Sequence, residues 1–196
     1  MPYSKFESIE EVAGRFDIEV VDKGIIDMLD IEIADYPFSE ITKRLDSMSF
    51  INEVTICEDI IKPILIQISK KYKSLYIWSY MAYNVDKDKD LFGEPDYLIA
   101  TRTKHGGMGI PPLGVMEAQK ENWENGWAQT LAEMYAASTQ GAKVCYGVVT
   151  TGKAWEFGKL HNGVFTKDPN QISATDNLQK VFDTLNWLFN EVDKTY

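Results

Sequence analysis

The sequence predicts a single α/β domain with a mixed central sheet flanked by helices. Three observations predict it: the chain length, a helical pattern followed by three strand-like runs, and a second helical pattern that leads into a further apolar run. At 196 residues the chain matches one domain, long enough to bury roughly 70% of its unfolded surface. Its 44% hydrophobic and 12% aromatic content is that of a folded globular protein. We read no repeat, low-complexity segment or linker. The expectation is one domain over 1–196, with a peripheral helical layer over 1–50, a core over 51–170 and a C-terminal cover helix over 174–194.

In chain order, Phe6, Ile9, Val12 and Phe16 recur at helical spacing and predict a short amphipathic helix over Ser4 to Arg15. Pro37 breaks the chain, and Phe38, Ile41 and Leu45 suggest a second helix. From Ile51 to Lys73 the strongest early pattern appears: Ile60, Ile61, Ile64, Leu65 and Ile68 make one apolar face, and Lys70 and Lys71 complement the dipole at its end. Pro63 predicts either a late start or a kink there. Leu75 to Val85, rich in aromatic and β-branched residues, reads as the first core strand. The Asp86 to Asp90 run that follows lacks the glycine and terminal glutamate of a calcium loop and reads as a solvated turn.

Side chains alternate along a strand, so residues two apart share a face. Asp96, Leu98, Ala100 and Arg102 then share one face of the next strand, opposite Tyr97 and Ile99. In Leu113 to Lys120, one face carries Leu113, Val115, Glu117 and Gln119, and the other Gly114, Met116, Ala118 and Lys120. Paired as a hairpin, the two strands bring Asp96 beside Glu117. Two carboxylates that close repel unless a proton or a cation lies between them, and carboxylate oxygens with water are what Mg2+ accepts. The Thr103 to Pro112 connection has no following helix and no Gly-Lys-Ser/Thr, which excludes a phosphate loop. It is expected to be a flexible hairpin tip overhanging the acids, with His105 either exposed or a phosphate donor. A helix over Asn125 to Ser138 follows, with an alanine stripe at Ala128, Ala132 and Ala136. Gln129 beside that stripe either reaches Glu117 or is a surface amide. Lys143 to Thr150 reads as a buried strand, His161-Asn162-Gly163 as the turn of a hairpin, and about 176–192 as the cover helix.

Pro95-Asp96, then Glu117-Ala118-Gln119, then Gly126-Trp127-Ala128-Gln129 opening a helix resemble the PD-(D/E)XK nuclease superfamily. The run from Glu117 to Ser138 is similar to bacterial nuclease-like families of unassigned role. The resemblance implies a restriction-endonuclease-like αβββαβ core and a Mg2+-dependent (or Mn2+-dependent) nuclease that hydrolyses phosphodiester bonds. Asp96 and Glu117 would hold the metal, with the Ala118 carbonyl as a further ligand. Gln119 stands where the motif usually has Lys; it can orient the attacking water without supplying charge, and Lys120 is the next cation. Gln129 matches a helical glutamine of many subfamilies. An acid on the first core helix joins the site in such families; Glu58 is the first candidate and Glu53 the second, the other reading of Glu58 being a solvated first-turn acid. The implied partner is nucleic acid, DNA ahead of RNA, with a homodimer as one possible assembly. The alternative is a catalytically degenerate nuclease fold acting as a binding or scaffold module.

The net charge of −10 weighs against tight non-specific duplex binding, Lys70-Lys71-Tyr72-Lys73 being the one basic cluster. Cys57 and Cys145 lack metal-ligand spacing and read as buried thiols. No run approaches the roughly 20 apolar residues of a membrane helix, and the opening residues show no signal pattern, so no membrane partner and a cytoplasmic location are expected.

Overall fold

Residues 3–47 and 52–196 are described by this computed structural model. The strands in chain order are β1 (Glu19–Asp22), β2 (Tyr76–Ser79), β3 (Tyr97–Ala100), β4 (Gly114–Ala118), β5 (Val144–Thr150), β6 (Ala154–His161), β7 (Val164–Lys167) and β8 (Ile172–Ser173). The helices are α1 (Ile9–Phe16), α2 (Asp35–Ser47), α3 (Glu53–Ile56), α4 (Lys62–Ser69), α5 (Trp123–Thr139) and α6 (Leu178–Asp193). The strands form an open 8-stranded mixed sheet in the order β1-β7-β6-β5-β4-β3-β2, with β8 paired to β6. β2, β3 and β4 form an antiparallel meander, and β5 then lies parallel to β4. A parallel neighbour needs a crossover, and α5 supplies it.

Alternation along the strands assigns the layers. On one face, α5 lies close against β5 because residue 147 is glycine: a Cβ there would come within 2.6 Å of Met134 Sδ and 2.8 Å of Thr130 Cγ2. On the other face, Tyr146 packs edge-on against Trp187 of α6 at 5.9 Å between ring centroids. On that side too, the Tyr97 hydroxyl donates to the Cys57 carbonyl at 3.0 Å. The hydrophobic core spans both faces and includes fully buried Trp127 and Trp155.

The first core helix shows how the proline is accommodated. Pro63 has no N–H and in a regular helix its ring would strike the Asp59 carbonyl. A π-helical stretch, Cys57–Ile61, joins α3 to α4, and the Lys62 N–H closes back onto the Cys57 carbonyl. The Asp59 carbonyl accepts from Arg44 Nη1 at 3.2 Å, so α2 satisfies the group that Pro63 cannot. The expected helix over 51–73 begins at Glu53 under an Asn52 cap, residue 51 lying outside the described residues.

Several expectations are corrected. The 1–50 segment is not a purely helical layer, because β1 pairs in parallel with β7. Glu19–Asp22 has little apolar alternation and is mostly exposed, which hid it. α1 starts at Ile9, not Ser4, since the Ser8 side chain accepts from the Glu11 N–H as its N-cap. Pro37 opens α2 instead of breaking the chain, sitting in the first turn where its missing N–H is tolerated. The first core strand stops at Ser79, because Tyr80 adopts a left-handed φ of 51°. The Asn162-Gly163 turn is as expected, both residues having positive φ, 50° and 78°. The Asp86 to Asp90 run is a charged turn in which Lys89 pairs with Asp86 and Asp90 takes Lys5 and Arg15.

No described helix is long and apolar enough to cross a membrane.

Candidate active site

Asp96 stands immediately before β3. The register opposes Tyr97 to Met116 and Leu98 to Val115, which sets Asp96 across from Glu117 at the open end of the β3–β4 hairpin. Two hydrogen bonds lock the pair: the Asp96 N–H donates to Glu117 Oε1 at 3.2 Å, and the Ala118 N–H donates to Asp96 Oδ2 at 2.8 Å. β4 is buried along its whole length, so Glu117 is only 2% exposed. From α5, Gln129 Nε2 donates to Glu117 Oε2 at 2.7 Å and lies 3.3 Å from Glu133 Oε1. The structure thus brings Asp96, Glu117 and Gln129 together.

It adds Glu133, which the sequence reading missed. This side chain is 0% exposed, and its Oε2 has no hydrogen-bond partner among the described residues. Its signal was spacing: Glu133 is four residues after Gln129, on the same face of α5. A glutamate between Ala132 and Met134 in a helix buried on most sides has no water to face.

Three backbone or amide groups therefore serve three carboxyls, two of them buried and Asp96 half-buried. Burial pushes Asp96 up to about 6, with the charge of Glu53 adding to the rise while the Ala118 N–H and the Glu117 carboxyl oppose it. Burial, then the charges of Glu133 and Asp96, hold Glu117 well above the usual glutamate range. Burial pushes Glu133 up to about 8 against the hydrogen bonds from Glu117 and Gln129. One amide nitrogen, Gln129 Nε2, reaches both glutamates, at 2.7 Å from Glu117 and 3.3 Å from Glu133.

The other candidates are placed as follows. The Gln119 N–H donates to the Thr150 carbonyl at 2.8 Å, so the β4–β5 ladder runs on past Ala118 with no bulge. Gln119 shares the face of Glu117 and lies over the first turn of α5, where a Cβ on Gly126 would meet its Cγ at 2.6 Å. Its side-chain amide makes no hydrogen bond with the described residues. Lys120 is exposed in the bend beyond. Glu58 is exposed and forms an i,i+4 pair with Lys62 at 3.0 Å, a solvated arrangement. Glu53 is the helix acid whose charge bears on Asp96. The expected position of the 103–112 tip is corrected: β3 runs away from Asp96 toward Ala100, so the tip and His105 sit at the opposite end of the hairpin. Four residues of strand separate the two ends by roughly 13 Å. Cys57 and Cys145 are buried and unpaired, and burial raises the Cys57 thiol to about 11.

Asp96 and Glu117 are the residues here that could hold a divalent cation. The oxygens on offer are hard carboxylate donors, burial first of all holds the three acids above their ordinary range, and Glu133 Oε2 has no hydrogen-bond partner among the described residues. No trio of His, Cys, Asp or Glu among the described residues is arranged to enclose an ion alone. The protein's share would be two carboxylates, Asp96 and Glu117, with the Ala118 carbonyl beside them. No protein-family model matches this chain, and no curated protein matches it.

Proposed function

We propose that the chain is a PD-(D/E)XK-type, divalent-cation-dependent nuclease that hydrolyses phosphodiester bonds of nucleic acid. The observation that carries this reading is the locked opposition of Asp96 and Glu117, with Gln129 on the second carboxylate. The order of α4, the β2–β3–β4 meander, α5 and parallel β5 supports a restriction-endonuclease-like core.

Asp96 and Glu117, with the Ala118 carbonyl, would hold Mg2+ or Mn2+. A cation bound there would lower the pKa of a water and neutralise charge on the scissile phosphate. The protein's own groups do the positioning. The Ala118 and Asp96 N–H groups fix the two carboxylates relative to one another, and Gln129 fixes the outer oxygen of Glu117. Gln119, with its amide uncommitted, orients the attacking water. It carries no charge, so stabilisation of the developing phosphorane rests more heavily on the cation than where Lys fills this position. Lys120 is the nearest cation in sequence and lies outside the buried cluster.

The test is cleavage of plasmid DNA, single-stranded DNA and RNA in Mn2+ or Mg2+. Asp96→Asn and Glu117→Gln are expected to lose activity; cleavage at the parental rate by either variant sinks the reading. The neutral Gln119 and the −10 net charge favour a second reading, a degenerate nuclease fold that binds without turnover. Absence of any cation-induced rise in melting temperature would favour that one.

A further inference from the structure

We propose that the β2 edge of the sheet, with the adjoining arm of the β3–β4 hairpin, is a docking surface for single-stranded nucleic acid. The proposal takes its ligand class from the nuclease reading but concerns binding alone.

The sheet ends on β2. Tyr76 and Trp78 are two apart on this strand and stand on one face, their rings 6.3 Å apart. Tyr76 is 41% exposed, and the Arg102 guanidinium lies over its ring at 5.8 Å. Arg102 extends the hairpin past β3 through its bridge to Met108. An exposed aromatic with a guanidinium at its face is how unpaired bases are held: every base offers a π-face, and arginine adds a cation–π contact and a phosphate partner.

Charge singles out the same edge. The chain as a whole has a net charge of −10, yet residues 70–85 and 97–116 contain no Asp or Glu. The first stretch carries Lys70, Lys71 and Lys73, and the second Arg102 and Lys104. All five are exposed, and none forms an ion pair with a described residue. Elsewhere Lys5, Arg15, Arg44, Lys62 and Lys167 pair with carboxylates, while Lys23, Lys87, Lys120, Lys143, Lys159 and Lys180 form no ion pair with a described residue. Asp30 and Glu32 share a pocket wall with Lys70 and Lys71, so the cations left for phosphates beside Tyr76 are Lys73, Arg102 and Lys104. A groove of about 390 Å³ between α4 and β2 has Lys73, Tyr76 and Ile77 in its wall, so Lys73 and the aromatic strand form one surface.

This surface is joined to the acids through the sheet. Tyr76 pairs with Ala100 and Trp78 with Leu98, so both stand on the face that carries Asp96 and Glu117. Along β3, Ala100 is roughly 13 Å from Asp96. Duplex DNA would have to lay both strands across a protein of strongly acidic balance. A single strand needs only a narrow basic edge and a place to stack.

The test is fluorescence anisotropy with a labelled oligothymidylate in EDTA at low salt, which removes catalysis from the readout. The parent is expected to bind, and Tyr76→Ala to weaken binding roughly tenfold while Tyr76→Phe retains it. Arg102→Glu should weaken binding and flatten its salt dependence. No binding by the parent, or parental affinity in both Tyr76→Ala and Arg102→Glu, overturns the proposal. A concentration-dependent dimer dispersed by Tyr76→Ala, without oligonucleotide binding, overturns it in favour of β2 pairing between two copies. If the parent binds through Tyr76 and Arg102 yet cleaves nothing, the surface stands and the nuclease reading falls. If it cleaves while both variants bind normally, the reverse holds.

Discussion

Asp168 and Glu117 are both acids at 2% exposure, and their surroundings push them in opposite directions. Asp168 has donors to spare. Its Oδ2 accepts the Ile25 and Ile26 N–H groups at 2.6 and 2.9 Å, and its Oδ1 accepts the Asn170 N–H and side-chain amide, both at 2.9 Å. Burial alone would raise this carboxyl, but the N–H groups of Ile26, Asn170 and Ile25 outweigh it and hold it below the usual aspartate range. Glu117 instead shares few donors with Asp96 and Glu133 and is held well above the glutamate range. The difference lies in the supply of donors. A carboxylate surrounded by N–H groups is already complete and pins the chain before α2 to the far side of the sheet. A cluster of carboxyls with too few donors is completed by a proton or a cation.

The comparison can be broken in several places. The largest effect is expected at the acids of the hairpin: Glu117→Gln should abolish Mn2+-dependent cleavage and leave the fold intact, as checked by circular dichroism and plasmid nicking. Next comes Asp168→Ala, which strands the N–H groups of Ile25 and Ile26. Urea unfolding should show a loss of about 3 kcal/mol, with or without a cation.

Changes of pH separate the two sites by sign. Asp168 is lowered in the folded state, so its contribution is present above the ordinary aspartate range and is lost as pH falls through its lower folded value. Asp168→Asn should therefore flatten the acid limb of a melting-temperature profile. Glu133 is raised to about 8, so the folded state favours its protonated form, and that contribution is lost as pH rises from the ordinary glutamate range to about 8. Cation-free Glu133→Gln should melt progressively higher than the parent across that window. Parallel profiles for the two proteins would remove Glu133 from the account. The smallest effect is expected at Glu58. Its pair with Lys62 is exposed, such pairs contribute little, and Glu58→Gln should leave both melting temperature and cation response unchanged.

How much of this was legible in the sequence follows the range of the interactions. The Asp96–Glu117 opposition is written in strand alternation and a hairpin connection, both local, and Gln129 lies one short crossover further on. The break in regular helix before Pro63 is equally local, because the missing N–H belongs to the residue itself. What answers it is not: Arg44, which takes up the Asp59 carbonyl, comes from another helix. Asp168 shows the same limit, its donors at Ile25 and Ile26 lying more than a hundred residues earlier. β1 was hidden because its parallel partner is β7 and its own four residues hardly alternate. Glu133 reads on a helical wheel as one of two acids of α5, beside Glu124, until the packing of the helix removes water from it. The hairpin tip is a different matter. An antiparallel pair places its loop at the end away from residues 96 and 117, and the spacing alone implied it.

The most direct test of the central claim, that the Asp96–Glu117 cluster is completed by a cation, is calorimetric titration of Mn2+ into the parent, Glu117→Gln and Asp168→Asn. The account predicts a saturable isotherm for the parent, its loss in Glu117→Gln and its survival in Asp168→Asn. No heat from the parent, or the same isotherm in Glu117→Gln, would contradict it.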